Sequence, residues 1–100
     1  MQINKKQLIE DAICTFGVAR QYQQFYEEMG ELMVAVSHYR RGKCSIEDLM
    51  VEIADVRQMI TAIEHLFRID TERQQEIEDR QWMKLKEQIE AYERVENEAL

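Results

Sequence analysis

The chain has 100 residues, 45% of them hydrophobic and 33% charged. That is enough for one packed domain, and it excludes both a disordered chain and two independent cores. With no proline and three glycines, it lacks the turn residues of a many-stranded sandwich or barrel. Thirteen Lys and Arg against twenty Asp and Glu leave a net charge of −7, which repels nucleic-acid backbones and requires a metal ion to reverse the local sign wherever phosphate is handled.

The sequence predicts an all-α fold of four helical segments. Asn4 caps the first, with Gln7 at the capping-box position, and its apolar residues Leu8, Ile9, Ala12, Ile13 and Phe16 run to a stop at Gly17. The second runs from about Val18 to Arg41 and ends at Gly42. Ser45 caps the third, with Glu47 and Asp48 in its first turn, where the helix dipole favours acids, and that helix reaches about Arg68. Thr71, with Gln74 at the box position, starts a fourth that continues almost to Leu100.

Helical stripes dominate the middle of the chain. Tyr22, Phe25, Met29, Leu32, Val36 and Tyr39 step 3, 4, 3, 4, 3, and Leu49, Ile53, Val56, Ile60, Ile63 and Phe67 mirror them. Joined by a short Gly-Lys-Cys-Ser turn, the two read as a central antiparallel hairpin of a four-helix bundle-like domain spanning residues 1–100. In the last segment Trp82, Leu85, Ile89 and Tyr92 form a narrow seam that either covers the hairpin or meets a second subunit. A helix this long is hard to shield within one copy, so completion by homo-oligomerisation is expected.

Cys14 and Cys44 form no CxxC pair and read as reduced thiols of a cytosolic protein. No apolar run approaches the ~20 residues of a membrane span, and no signal-peptide pattern opens the chain. A cytoplasmic location with no membrane partner is the expectation.

The chemistry-bearing residues are carboxylates. Glu27, Glu28 and Glu31 project from neighbouring strips of the second helix. Glu28 and Glu31 belong to the strip Gln21, Gln24, Glu28, Glu31, Ala35, His38, directly beside the apolar stripe. In the third helix, Glu52 and Asp55 lead into Met59, Ala62 and Leu66 on a second, partly apolar face. Counted outward from Gly42, the pairs Glu28/Glu31 and Glu52/Asp55 lie at similar heights of an antiparallel hairpin. Four converging carboxylates either take up protons or bind a cation, and oxygen-only ligands suit Mg²⁺ or Mn²⁺. A solvated acidic face is the alternative reading of the spacing. A di-iron bundle is disfavoured because no Glu precedes a His by three.

Glu-Glu-Met-Gly-Glu at 27–31 and Glu-Ile-Ala-Asp at 52–55 together resemble the EExxE…ExxD signature of MazG-like nucleoside triphosphate pyrophosphohydrolases, an all-α superfamily. The resemblance covers roughly Gln21 to Phe67. It implies that Glu28, Glu31, Glu52 and Asp55 hold Mg²⁺, while Glu27 joins a second metal site or orients the attacking water. It also implies hydrolysis of a nucleoside triphosphate to monophosphate and pyrophosphate, a role in nucleotide-pool housecleaning, and a homodimer or homotetramer. Two other readings stay open: a non-catalytic helical interaction module, and a phosphoribosyl-ATP pyrophosphohydrolase with similar motifs.

The basic residues Arg57, Arg73, Arg80, Lys84 and Lys86, and Arg40, Arg41 and Lys43 at the turn, form no phosphate-gripping pattern and read as surface. His38 shares the acidic strip but stands about 10 Å along the axis from Glu31. His65 reads as structural. Gly30, inside a helix at a cost of about 1 kcal/mol relative to Ala, either admits a close neighbour beside the acids or is simply tolerated. Trp82 and Tyr92 read as packing residues, with stacking on a nucleobase as the alternative.

Overall fold

The computed structural model describes residues 2–99, and among them there are four helices and no strands. These are α1 (Lys5–Phe16), α2 (Val18–Arg40), α3 (Ile46–Leu66) and α4 (Thr71–Ala99). They form two compact units, Met1–Arg68 and Ile69–Leu100. No helix among the described residues is long and apolar enough to cross a membrane.

Local chemistry sets the helix ends of the first unit. The Asn4 side chain accepts the Gln7 N–H at 3.0 Å, as expected of an N-cap. The reciprocal half of that box is absent, because the Gln7 amide instead donates to Asp11 one turn on, at 2.9 Å. A single residue, Gly17, separates α1 from α2. Its φ of 88° and ψ of 158° lie in a region open essentially to glycine alone, and its N–H closes α1 on the Ile13 carbonyl at 2.9 Å.

At the far end of α2, Gly42 at φ 70° allows a Schellman closure. The Lys43 N–H reaches the His38 carbonyl at 2.8 Å and the Gly42 N–H reaches Tyr39 at 3.0 Å. Arg41 braces the same turn by donating to the Ser37 hydroxyl at 2.8 Å. Ser45 and Asp48 then form a complete capping box on α3, the Ser45 hydroxyl accepting from the Asp48 N–H at 3.1 Å and the Asp48 carboxylate from the Ser45 N–H at 3.0 Å. The carboxyl of Asp48 is held below its ordinary pKa by that backbone hydrogen bond. α3 stops at Leu66, short of the expected Arg68, which takes a left-handed φ of 52° just beyond the helix.

The helices α2 and α3 pack closely as the expected antiparallel hairpin. The Cys44 thiol contacts the Ala35 carbonyl at the turn end (3.7 Å), and Tyr22 stacks on Phe67 at the open end, with ring centroids 6.1 Å apart. The line of contact differs from the sequence expectation. The buried positions of α2 are Gln21 and Ala35, and Glu28 and Leu32 are half-buried between them. In α3 they are Val56, Met59 and Ala62. The expected seams therefore meet only along one edge, leaving Val36 and Ile60 each 44% and Phe67 57% exposed.

The small side chains Ala35, near the turn, and Ala62, near the open end, are among the buried positions. α1 lies against both helices, and His65 Nε2 stands 3.8 Å from Glu10 Oε1. No residue of α1 is fully buried.

The second unit is the single helix α4. Its cap is Asp70, not Thr71: the Asp70 carboxylate accepts the Glu72 N–H at 3.0 Å and the Arg73 N–H at 3.4 Å. Pairs one turn apart line its surface, including Arg73–Glu76 at 2.9 Å and Gln75–Asp79 at 3.0 Å. Within this unit nothing covers its expected seam of Trp82, Leu85, Ile89 and Tyr92.

Candidate metal centre

The acidic strip of α2 faces α3 because it shares the inward arc with Gln21 and Ala35. One carboxylate oxygen each from Glu28, Glu31 and Glu52 lies within 4.8 Å of the other two. Glu28 and Glu52 are half-buried and Glu31 is exposed. The vertical match inferred from counting outward along the hairpin thus brings acids of both helices together.

These carboxylates are incompletely satisfied. Gln24 Nε2 donates to Glu28 Oε1 at 2.7 Å. The other oxygen of Glu28 and one of Glu52 are shielded from solvent and have no hydrogen-bond partner. Removal from water raises the Glu28 pKa above its ordinary value, and the nearby charges of Glu31 and Asp55 add to the rise, while the Gln24 hydrogen bond opposes it. An unpaired carboxylate oxygen withdrawn from water is costly. A hard divalent cation would supply the missing partner, and an all-oxygen donor set is what Mg²⁺ or Mn²⁺ takes.

Asp55 stands outside the triad of close oxygens. It lines a cleft of about 500 Å³ together with Glu28, residues of α1, and Arg20. Glu27 is exposed and lines a second cleft of about 580 Å³ with Glu31, Glu52 and His38. The acids therefore sit on the ridge between two clefts of the Met1–Arg68 unit. Gly30 borders the second cleft, and a Cβ built there meets nothing within 4 Å, so no helix makes a close approach at that glycine. Cys14 and Cys44 are unbridged.

Sequence reasoning missed Arg20 and Gln21 as cleft residues. For Gln21 a signal was present, since it opens the strip that carries Glu28 and Glu31. No protein-family model, curated protein or solved structure matches the chain.

Proposed function

We propose that this protein is a Mg²⁺-dependent nucleoside triphosphate pyrophosphohydrolase that converts (d)NTP to (d)NMP and pyrophosphate. The observation that carries the reading is the convergence of Glu28, Glu31 and Glu52 from two helices, with two shielded oxygens unpartnered. The two acidic motifs and their resemblance to the MazG-like enzymes supply the reaction class.

In this reading Glu28, Glu31 and Glu52 would hold the ion, and Asp55, outside the close triad, would join them from the cleft it shares with Glu28. Mn²⁺ can substitute. A divalent ion held there would supply charge neutralisation for phosphate and a lowered pKa for a bound water. Glu27, across the ridge from Asp55, orients the water that attacks the α-phosphorus. A bond forms from the water oxygen to the α-phosphorus, and the bond from that phosphorus to the bridging oxygen breaks. The protons lost by water pass to Glu27 and to solvent. Such an activity removes unwanted nucleotides from the pool in the cytoplasm, where the thiols Cys14 and Cys44 stay reduced. The exposed apolar flank of the hairpin, Val36, Ile60 and Phe67 among it, supports a homodimer or homotetramer.

The test is a panel of NTPs, dNTPs and phosphoribosyl-ATP assayed for pyrophosphate release with Mg²⁺. Glu31→Gln and Asp55→Asn are each expected to lower turnover at least a hundredfold with the helical signal unchanged. Turnover on phosphoribosyl-ATP alone would reassign the substrate. No turnover on any substrate, with no thermal response to Mg²⁺, would leave a helical interaction module instead.

A further inference from the structure

Away from the acidic ridge, α4 carries a seam that its own unit leaves without a partner, and none of its 29 residues is buried. Helices in water draw most of their stability from packing an amphipathic face. Trp82, Leu85, Ile89 and Tyr92 step 3, 4, 3, and the same stepping meets Glu78 before them and Glu96 after them. The apolar seam is thus closed by an acid at each end, and it spans about 15 Å. Read from residue 87, it is the same in both directions: an aliphatic residue, an aromatic residue, then a glutamate. Antiparallel pairing of two copies about that point sets Trp82 of one beside Tyr92 of the other and Leu85 beside Ile89, as successive layers of a coiled coil.

Charge selects the orientation. Residues 80–86 contain Arg80, Lys84 and Lys86 and no acid, whereas residues 87–93 contain Glu87, Glu90 and Glu93 and no cation. The boundary between the two blocks falls at the centre of the seam. In a parallel pair each block meets its like. In an antiparallel pair the basic block of each copy lies along the acidic block of the other, and the match occurs twice because a two-fold contact is self-complementary. Opposed helix dipoles favour the same orientation. Within one helix the blocks are joined by a single ion pair among the described residues, Lys86–Glu90, a loose contact at 3.9 Å.

We infer that α4 is a self-recognition element, which pairs antiparallel with α4 of a second copy through the seam from Trp82 to Tyr92, in a register set by its two charge blocks. The inference rests neither on the metal centre nor on the hydrolase reading. It places a contact between copies on a surface other than the apolar flank of the hairpin.

The experiment is sedimentation equilibrium of the full chain at low and high salt, for the parent and three variants. One reverses the basic block (Lys84→Glu with Lys86→Glu), one reverses the acidic block (Glu90→Lys with Glu93→Lys), and one carries all four substitutions. The parent is expected to associate through a two-fold step that salt weakens. Each two-site variant is expected to weaken that step at least tenfold, and the four-site variant, whose blocks are complementary again, to regain it to within about threefold. Where the hairpin flank adds a second step, the two-site variants fall from tetramer to dimer. Circular dichroism checks that each variant keeps its helix. A parent that stays monomeric at every concentration overturns the inference, as does a two-fold step that the two-site variants leave unchanged. A parallel pair is revealed if reversing the basic block tightens association, because +3 against +3 then becomes −1 against −1. Failure of the four-site variant to recover, with its helix intact, also refutes the pairing.

Discussion

Replacing Glu28 by Gln should push stability in opposite directions with and without Mg²⁺. In the metal-free protein the substitution removes the repulsion with Asp55 and two closer ones, with Glu31 and with Glu52, the last two across gaps of at most 4.8 Å. Each of those two is worth about 0.9 kcal/mol at the dielectric of water and about 3.5 kcal/mol at an effective value of 20. Glu31 is exposed, so the screened limit governs and the two together amount to about 2 kcal/mol. The charge-assisted bond from Gln24 becomes a neutral one, which returns about 1 kcal/mol. The net gain of about 1 kcal/mol raises Tm by about 4–8 °C in a domain of this size.

With Mg²⁺ at a hundred times its Kd the parent gains about 2.7 kcal/mol that the variant largely forgoes, so the order of the two melting curves inverts. The sign of the pH dependence follows from the raised pKa. The folded chain holds a proton on Glu28 above its ordinary value of 4.5, where the unfolded chain has released it. Metal-free stability therefore falls as pH climbs from 4.5 through the raised folded value, and Glu28→Gln flattens that part of the profile. Thermal melts by circular dichroism, in EDTA and in Mg²⁺, decide the matter. A variant that melts below the parent in EDTA, or that gains as much from Mg²⁺, refutes the reasoning.

Two further substitutions probe the frame around the site. Ser45→Ala removes the hydroxyl half of the α3 capping box and is expected to cost about 1 kcal/mol in urea unfolding. The depressed pKa of Asp48 in that box adds stability that is present above the ordinary aspartate range and lost as pH falls through the folded value. Disrupting the box should thus shrink the difference between neutral and acidic unfolding midpoints, and an unchanged difference would count against it. Gly17→Ala places a Cβ where nothing lies within 4 Å, so its cost is backbone strain alone, about 1–3 kcal/mol. An unchanged midpoint for that variant would show that α1 and α2 can join through another conformation.

Much of this was legible in the residues. Asn4, Gly17, Gly42 and Ser45 announced their helix ends because caps and left-handed glycines act over three or four residues of sequence. The meeting of Glu28 and Glu31 with Glu52 followed from counting outward from a short turn, which needs no knowledge of packing. The face of contact did not follow. Hydropathy favoured the stripe from Tyr22 to Tyr39, yet the buried positions of α2 are Gln21 and Ala35 on the neighbouring strip, since which face is covered depends on the neighbouring helices as well as on hydropathy. Gln21 escaped notice for the same reason, because an amide reads as surface until a neighbouring helix is known to cover it. Asp70 displaced Thr71 as the cap of α4 because a carboxylate is the stronger acceptor for two backbone donors.

The hairpin is pinned at both ends, by the turn with its Cys44–Ala35 contact and by the Tyr22–Phe67 stack, while like charges press outward at its waist. Relief then comes from a proton on Glu28, whose pKa is raised, or from the surrounding ions. Sodium chloride, with a screening length of ~8 Å at physiological strength, eases the pressure only diffusely. A doubly charged ion seated among the oxygens, as proposed, would act on it at the source, so the waist should answer to valence at ionic strengths where monovalent salt has little effect.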